Sequence, residues 1–379
     1  MIVDLTDDQA RRALPEKWGA VDPDVIPAWV AEMDFALAPA ITEALSRAVS
    51  DGTTGYPLFG AGGGLADAYA GFARRRYGMD IDPALVMPVV DVTSGVRLAL
   101  DVLSEPGPLV LPMPAYRPHL DMAEICGRER ADLVIEPDAA RAELDLDQLD
   151  SLFAAGARTL LLTQPHNPWG RVFSRAELEG VRDVVTKHGA RVISDEIHAP
   201  LVLTGAEHVS YLDIDGTADH SVAVVSASKA FNTAGLRCAQ IVTSLEETRD
   251  RLLDVPMARN ESWSSLGVVG AIAAYTDGDA WLDALLSRLD EQRALLTSLL
   301  AEHLPAARMR PLEATYLAWI DLRDYGQDDP AAKVLAKGRV RVAPGHDYQP
   351  GLNGHIRLNI ATSPDRLREI VHRLAGSLT

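Results

Sequence analysis

The chain has 379 residues, 47% hydrophobic and 24% charged, with a formal net charge of −18, a composition that suits a water-soluble protein of two associated domains. The negative charge is spread along the chain, which argues against non-specific binding to nucleic acid or to an anionic membrane surface. Cys126 and Cys238 stand far apart in no CxxC or metal-ligand spacing, and neither a signal peptide nor a bilayer-length apolar run occurs, so no metal is expected and the expected compartment is the reducing cytoplasm.

The first fifty residues hold a Pro-rich arm, IPAWVAEMDFALAPAI, followed by a helix; the arm is expected to join the C-terminal part of the chain or to reach a partner subunit. From about residue 85 to 245, short apolar runs alternate with turns and helix-length segments: LVMPVVDV, GPLVLPMP, ARTLLLTQP, ARVISDE, SVAVVSAS and AQIVTS. That alternation predicts an open, mainly parallel α/β sheet. SRAELEGVRDVVTKHG predicts a helix with Ser174 as N-cap, Glu177 completing a capping box and Gly189 near its end. Residues 278–303 predict one long amphipathic helix, after which shorter strands such as TYLAWIDL and HIRLNIA follow. The expected division is an arm with its helix at 1–45, a large domain at 46–280 and a small domain at 281–379.

In an open parallel sheet the ligand crevice lies beyond the carboxyl ends of the strands. The residues there are unusually polar: Thr93-Ser94-Gly95-Val96, Pro114-Ala115-Tyr116, His166-Asn167-Pro168, Asp195-Glu196-Ile197-His198 and Ser226-Ala227-Ser228-Lys229, with Arg237 eight residues beyond the lysine. Alone, Lys229 reads as a surface lysine. Placed after SVAVVSAS, at a strand end where desolvation lowers an amine's proton affinity, it reads as a nucleophile able to form a Schiff base. Ser94-Gly95-Val96 opens the helical VRLALDVL, either as an ordinary N-cap or as backbone N–H groups that hold a phosphate. Ser226, Ser228 and Arg237 would complete a dianion site there, arginine through its bidentate fork. Asp195 ends the run ARVIS, where a carboxylate either meets a cation, such as a protonated pyridine nitrogen, or caps the next element. Asn167 in QPHNPWG is by itself a turn residue.

HNPWGRVF, VISDEIH, SASKAFNTAGLR and HIRLN, in this order and at these separations, make the chain resemble the fold-type I, class I/II aminotransferase-like enzymes along almost its whole length. The resemblance implies the three-layer aspartate-aminotransferase fold, a large domain with a mainly parallel sheet and a smaller α+β C-terminal domain, with pyridoxal 5'-phosphate (PLP) as cofactor. It implies that Lys229 carries PLP as a Schiff base and serves as the base, that Asp195 pairs with the pyridinium nitrogen, that Asn167 hydrogen-bonds the phenolic oxygen and that Tyr116 stacks on the ring. Ser94, Gly95, Val96, Ser226, Ser228 and Arg237 would form the phosphate cup. Tyr56 of TTGYPLFG would reach a phosphate across a homodimer interface, and Arg357 of HIRLN would clamp the α-carboxylate of an amino-acid substrate.

Within that family, IPAWVAEMDF, the GYP that follows, DEIH and EATYLAWIDLRDYG resemble the carbon–sulfur β-lyase branch that includes the PatB- and MalY-type cystathionine β-lyases. His198 stands where many aminotransferases carry a tyrosine that donates to the phenolic oxygen, which places it in the cofactor-binding set. Two departures, Trp169 between the Pro and Gly of its turn and His119 in PAYRPH, are expected to reshape the substrate pocket, though Trp169 equally fits as core under the turn. The implied reaction is α,β-elimination to thiol, pyruvate and ammonia. The same residues serve transamination, so an aminotransferase is the alternative. A PLP-fold regulatory protein is a third reading, against which stands the lack of an appended helix-turn-helix or basic arm.

Overall fold

The computed structural model describes residues 1–59, 62–136 and 140–379. Its strands fall on the apolar runs. After a two-residue β1 (Ile26–Pro27) come β2 (Val86–Val89), β3 (Leu109–Met113), β4 (Arg130–Val134), β5 (Thr159–Thr163), β6 (Arg191–Asp195), β7 (Ser221–Val225) and β8 (Ala239–Val242). The last seven form one sheet in the order β2-β8-β7-β6-β5-β3-β4, in which β8 alone runs against its neighbours. Every residue of β3, β5 and β7 is buried, as expected of parallel strands covered on both faces by crossover helices. The edge strand β4 is half exposed; RADLV lacks a continuous apolar run, and it was not among the strands expected.

The helix Arg175–His188 shows the predicted capping box, with the Ser174 side chain accepting from the Glu177 N–H and the Glu177 carboxylate accepting from the Ser174 N–H, and it ends at Gly189 with φ 56°. A second, antiparallel sheet is made of β9 (Arg308–Met309), β10 (Leu317–Asp321), β12 (Ala343–Pro344) and β13 (His355–Asn359), while β11 (Val340–Arg341) pairs with β1. The arm is thereby stitched to the C-terminal third of the chain. The helix Asp279–His303 buries Leu282, Leu285, Leu289, Leu296 and Leu300 along one stripe, a spacing of three, four and seven residues that repeats on one helix face. These leucines share a core with Met33 and Phe35 of the arm and with Leu367, Ile370, Val371 and Leu374 of the last helix, Pro364–Leu378. At ~1.5–3 kcal/mol for each large apolar side chain buried, that shared core is what holds the arm in place.

Parallel pairing sets Thr163 beside Asp195 and Asp195 beside Val224. The carboxyl ends of β5, β6 and β7 therefore lie side by side, and the segments that leave them face one crevice. Among the described residues no helix is long and apolar enough to cross a membrane.

Candidate active site

That crevice is a cavity walled by Asp195, Asn167, Tyr116, His198, Ser226 and Lys229, with Ala31 of the arm closing it from above the lysine. Asp195 is almost wholly buried. Its Oδ1 accepts the Ile197 N–H at 3.1 Å, and its Oδ2 lies 3.3 Å from His119 Nε2, without the alignment of a hydrogen bond. A buried carboxylate held by one amide and one imidazole retains acceptor capacity for a cation in the cavity. His119, itself buried, sits in the first turn after Tyr116, and the two rings meet edge to face at 5.3 Å. The histidine that read as a pocket-shaping departure is thus the group behind Asp195. The i+3 spacing from Tyr116 was its signal in the sequence.

Arg357, in the middle of β13, is only 5% exposed. Its Nη1 donates to Asn167 Oδ1 at 3.1 Å and its Nη2 to the Trp29 carbonyl at 2.8 Å. Its Nε, buried, has no hydrogen-bond partner, and no carboxylate among the described residues pairs with it. The Tyr348 ring lies under the guanidinium at 4.9 Å, a cation–π contact that steadies the fork without neutralising it. A desolvated guanidinium left without an anion is a costly arrangement that a ligand carboxylate would resolve. Because Asn167 meets Arg357 through its oxygen, its Nδ2 donors are left for the cavity.

Among the described residues, Lys229 Nζ reaches only the Ala31 carbonyl, at 3.4 Å. Burial lowers its proton affinity, and Arg357 lowers it further, against the opposing pull of Glu32 and Asp195. A lowered proton affinity is the direction that favours the nucleophilic amine Schiff-base chemistry requires. Burial also pushes the His198 imidazole down to about 3 despite the attraction of Asp195. His198 is therefore neutral at ordinary pH, and its Nδ1 is buried without a partner. Tyr116, at the mouth of the same cavity, is held protonated by burial.

The anion end of the cavity departs from expectation. Val92 and Thr93 line it, and Ser94, Gly95 and Val96 do not. The helix Val92–Leu103 starts earlier than foreseen because Asp91, not Ser94, is its N-cap: Asp91 Oδ1 accepts the Ser94 N–H at 2.8 Å and the Asp91 carbonyl accepts the Gly95 N–H at 2.9 Å. Those two amides are consumed within the helix, so the free first-turn donors belong to Val92 and Thr93. Gly95 serves packing instead, since a Cβ there would stand 2.8 Å from Val224 Cγ1. Val96 is fully buried. Arg237 and Ser228 do line this end, and Arg237 pairs with Asp91. Ser226 Oγ donates to the Cys238 carbonyl at 2.8 Å and accepts the Ser228 N–H at 3.1 Å, which folds the loop that presents Lys229.

Two further residues lie outside this cavity. Trp169 is 5% exposed and packs edge to face on Trp319 at 6.2 Å, within the hydrophobic core rather than on the cavity wall, so a direct substrate contact is not where the structure puts it. The turn beside it requires Gly170, with φ +63° and a would-be Cβ 2.3 Å from Leu312 Cδ1. Tyr56 is 92% exposed, next to the exposed Leu58 and Phe59, and contributes nothing to the cavity of its own chain.

Taken together, the site offers a nucleophilic amine, an arginine fork lacking an anion, a buried carboxylate with spare acceptor capacity, and an anion pocket of first-turn amides, serines and Arg237. The donor set fits a flat aromatic carbonyl compound that carries a ring nitrogen and a phosphate, and it fits a substrate carboxylate at Arg357. The model of the class I and II aminotransferases matches residues 25–374. A putative cystathionine beta-lyase of Mycobacterium leprae is 38% identical over 399 residues, covering 99% of this chain and 97% of that one. A cystathionine beta-lyase of Corynebacterium glutamicum is 36% identical over 377 residues, covering 99% of each. The crystal structure of a putative PLP-dependent beta-cystathionase from Corynebacterium diphtheriae superposes with a TM-score of 0.94 at 32% identity, over 100% of this chain and 99% of that one.

Proposed function

The chain belongs to the class I and II aminotransferase family, and from that premise we propose that it is a PLP-dependent carbon–sulfur β-lyase acting on a cystathionine- or cysteine-conjugate-like amino acid. The observation that carries the reading is the convergence on one cavity of a half-buried lysine, a buried aspartate and Asn167, behind which the buried Arg357 donates to Asn167 Oδ1 and pairs with no carboxylate among the described residues. The full-length similarity to a cystathionine beta-lyase supports the choice of reaction.

Lys229 Nζ would hold the cofactor, with Asp195 accepting from its protonated ring nitrogen, Asn167 Nδ2 and neutral His198 donating to its phenolic oxygen, and Tyr116 covering one face. Val92, Thr93, Ser226, Ser228 and Arg237 would hold its phosphate. When bound, PLP supplies the electron sink that stabilises negative charge developing at the substrate α-carbon. Arg357 binds the substrate carboxylate through Nε and Nη2, the geometry for which its fork is suited, and so fixes the α-hydrogen relative to Lys229. Lys229, displaced by the substrate amine, takes the α-proton at Nζ as general base. Carrying that proton, it is the acid at hand for the sulfur that departs from the β-carbon. Asp195, which accepts the Ile197 N–H and is backed by His119, would be the acceptor for a proton on the ring nitrogen. The balance is one thioether amino acid plus water giving one thiol, one pyruvate and one ammonia.

The functional unit is a homodimer in which the exposed Tyr56 reaches the partner subunit's phosphate site. The division into an arm at 1–45, a large domain at 46–280 and a small domain at 281–379 rests on the separation of the two main sheets. Both cysteines are free, which suits a reducing compartment such as the cytoplasm. The test is product stoichiometry with cystathionine: equal thiol, pyruvate and ammonia supports the lyase, whereas pyridoxamine phosphate accumulating without thiol would replace it with a transaminase.

A further inference from the structure

The arm crosses the lysine loop at Ala31–Met33, and the backbone is fixed at each of these residues. The Ala31 carbonyl accepts from Lys229 Nζ at 3.4 Å and from the Tyr316 hydroxyl at 2.9 Å. The Glu32 carbonyl accepts from Lys17 Nζ at 3.0 Å and from Asn359 Nδ2 at 2.7 Å. The Met33 N–H donates to Asn232 Oδ1 while its carbonyl accepts from Asn232 Nδ2, both at 2.9 Å. Asn232 stands three residues after Lys229 with φ 57°, in the left-handed region that asparagine tolerates better than most residues. The arm and the lysine loop are therefore latched to one another on both sides of Glu32.

The Glu32 carboxylate is less completely held: the Lys17 backbone N–H is directed to it, but one of its oxygens is not satisfied. Its Oε2 is out of solvent and makes no hydrogen bond, which for a carboxylate is unfavourable unless a cation lies near. Burial raises its proton affinity, and the opposing attractions come first from Lys229 and then from Lys17, with Glu16 adding repulsion. Lys17 is already committed to Asp34 at 2.8 Å. Around Lys229, Arg357 repels from β13, while Glu32 attracts from the arm more than Asp195 does from β6. His198, on the turn after β6, is neutral, and Tyr316 is held protonated by burial. Asp195 faces His119 and would be taken up by the ring nitrogen of the cofactor. Glu32 is the carboxylate that remains to answer the lysine.

We propose that Glu32 is a positioning residue for Lys229: held by the latched arm, its carboxylate balances the positive charge of the lysine nitrogen against Arg357 and holds that nitrogen in place when it carries a proton. This rests on the reading of Lys229 as the PLP-bearing lysine. The test uses the holoenzyme and follows the pH at which the visible absorption band of the lysine–cofactor linkage changes as its nitrogen loses a proton. Removing a nearby carboxylate disfavours the protonated form, so Glu32→Gln should move the midpoint toward acid by roughly one pH unit. Glu32→Ala, which deletes the charge with a smaller side chain, should move it the same way, and Glu32→Asp should restore part of the shift. In Glu32→Gln kcat should fall about tenfold or more while KM stays within about threefold, because the lysine and not the carboxylate clamp is affected. A band whose midpoint stays at the wild-type pH in both Glu32→Gln and Glu32→Ala overturns this proposal alone. A wild-type protein without any such band overturns the cofactor assignment and this proposal with it.

Discussion

Replacing Arg357 by methionine separates what this residue does for the substrate from what it costs the fold. The guanidinium is 5% exposed, donates to Asn167 and to the Trp29 carbonyl, and has a buried Nε with no partner. Losing a desolvated charge-assisted pair to a ligand costs ~2–5 kcal/mol, which corresponds to about 30-fold up to several-thousand-fold in kcat/KM. The loss should be confined to substrates that carry the α-carboxylate. The protein itself should not be weakened. Two hydrogen bonds at about 1 kcal/mol each and one cation–π contact of similar size disappear, but the several kcal/mol spent on desolvating an unpaired cation disappear as well. The assay compares kcat/KM for cystathionine with that for the analogue lacking the α-carboxylate, alongside thermal unfolding. The wild type should prefer the amino acid strongly, and Arg357→Met should lose most of that preference with a melting temperature equal to or above the wild type. Retained preference, or a variant that unfolds, would refute the assignment of Arg357 as a carboxylate clamp held in reserve.

Arg237→Ala should weaken cofactor binding at least tenfold, whereas Ser94→Ala should leave it unchanged, because the Ser94 side chain does not line the cavity; equilibrium dialysis against PLP distinguishes the two, and equal losses would put the Ser94 hydroxyl on the phosphate. Acid should destabilise the fold before the carboxylates titrate. Burial holds His166 and His198 down to about 3, so between that value and about 6.5 the unfolded chain binds more protons and stability falls as pH falls. Each imidazole contributes about 2 kcal/mol of loss between pH 7 and pH 5, and unfolding free energies that stay flat over that interval would show that these rings are not buried as described.

The parts of this site that local chemistry dictates were legible in the sequence. Strand-end polar residues and the capping box at Ser174 are local patterns, and Lys229, Asp195 and Asn167 do line one cavity, with Arg357 hydrogen-bonded to Asn167 beside it. The start of the helix Val92–Leu103 shows the limit of that reasoning. Asp91 and Ser94 are both good N-caps by residue type, and the structure uses Asp91, with Gly95 in close contact with Val224 from a distant part of the chain. Strand β4 escaped notice because an edge strand need not be apolar. The pairing of Asn232 with Met33 and of Lys229 with the Ala31 carbonyl depends on the arm folding back across nearly two hundred residues, and no local pattern records it. Trp169 could pack either way from its sequence, and the structure packs it on Trp319.

The claim on which the rest depends is that Lys229 carries the cofactor. Reducing the holoenzyme with borohydride, digesting it and sequencing the modified peptide by mass spectrometry tests this directly. The account predicts a pyridoxyl phosphate adduct on the lysine of SASKAFNTAGLR and nowhere else; an adduct on another lysine, or an unmodified Lys229 in a protein that shows the visible band, would contradict it.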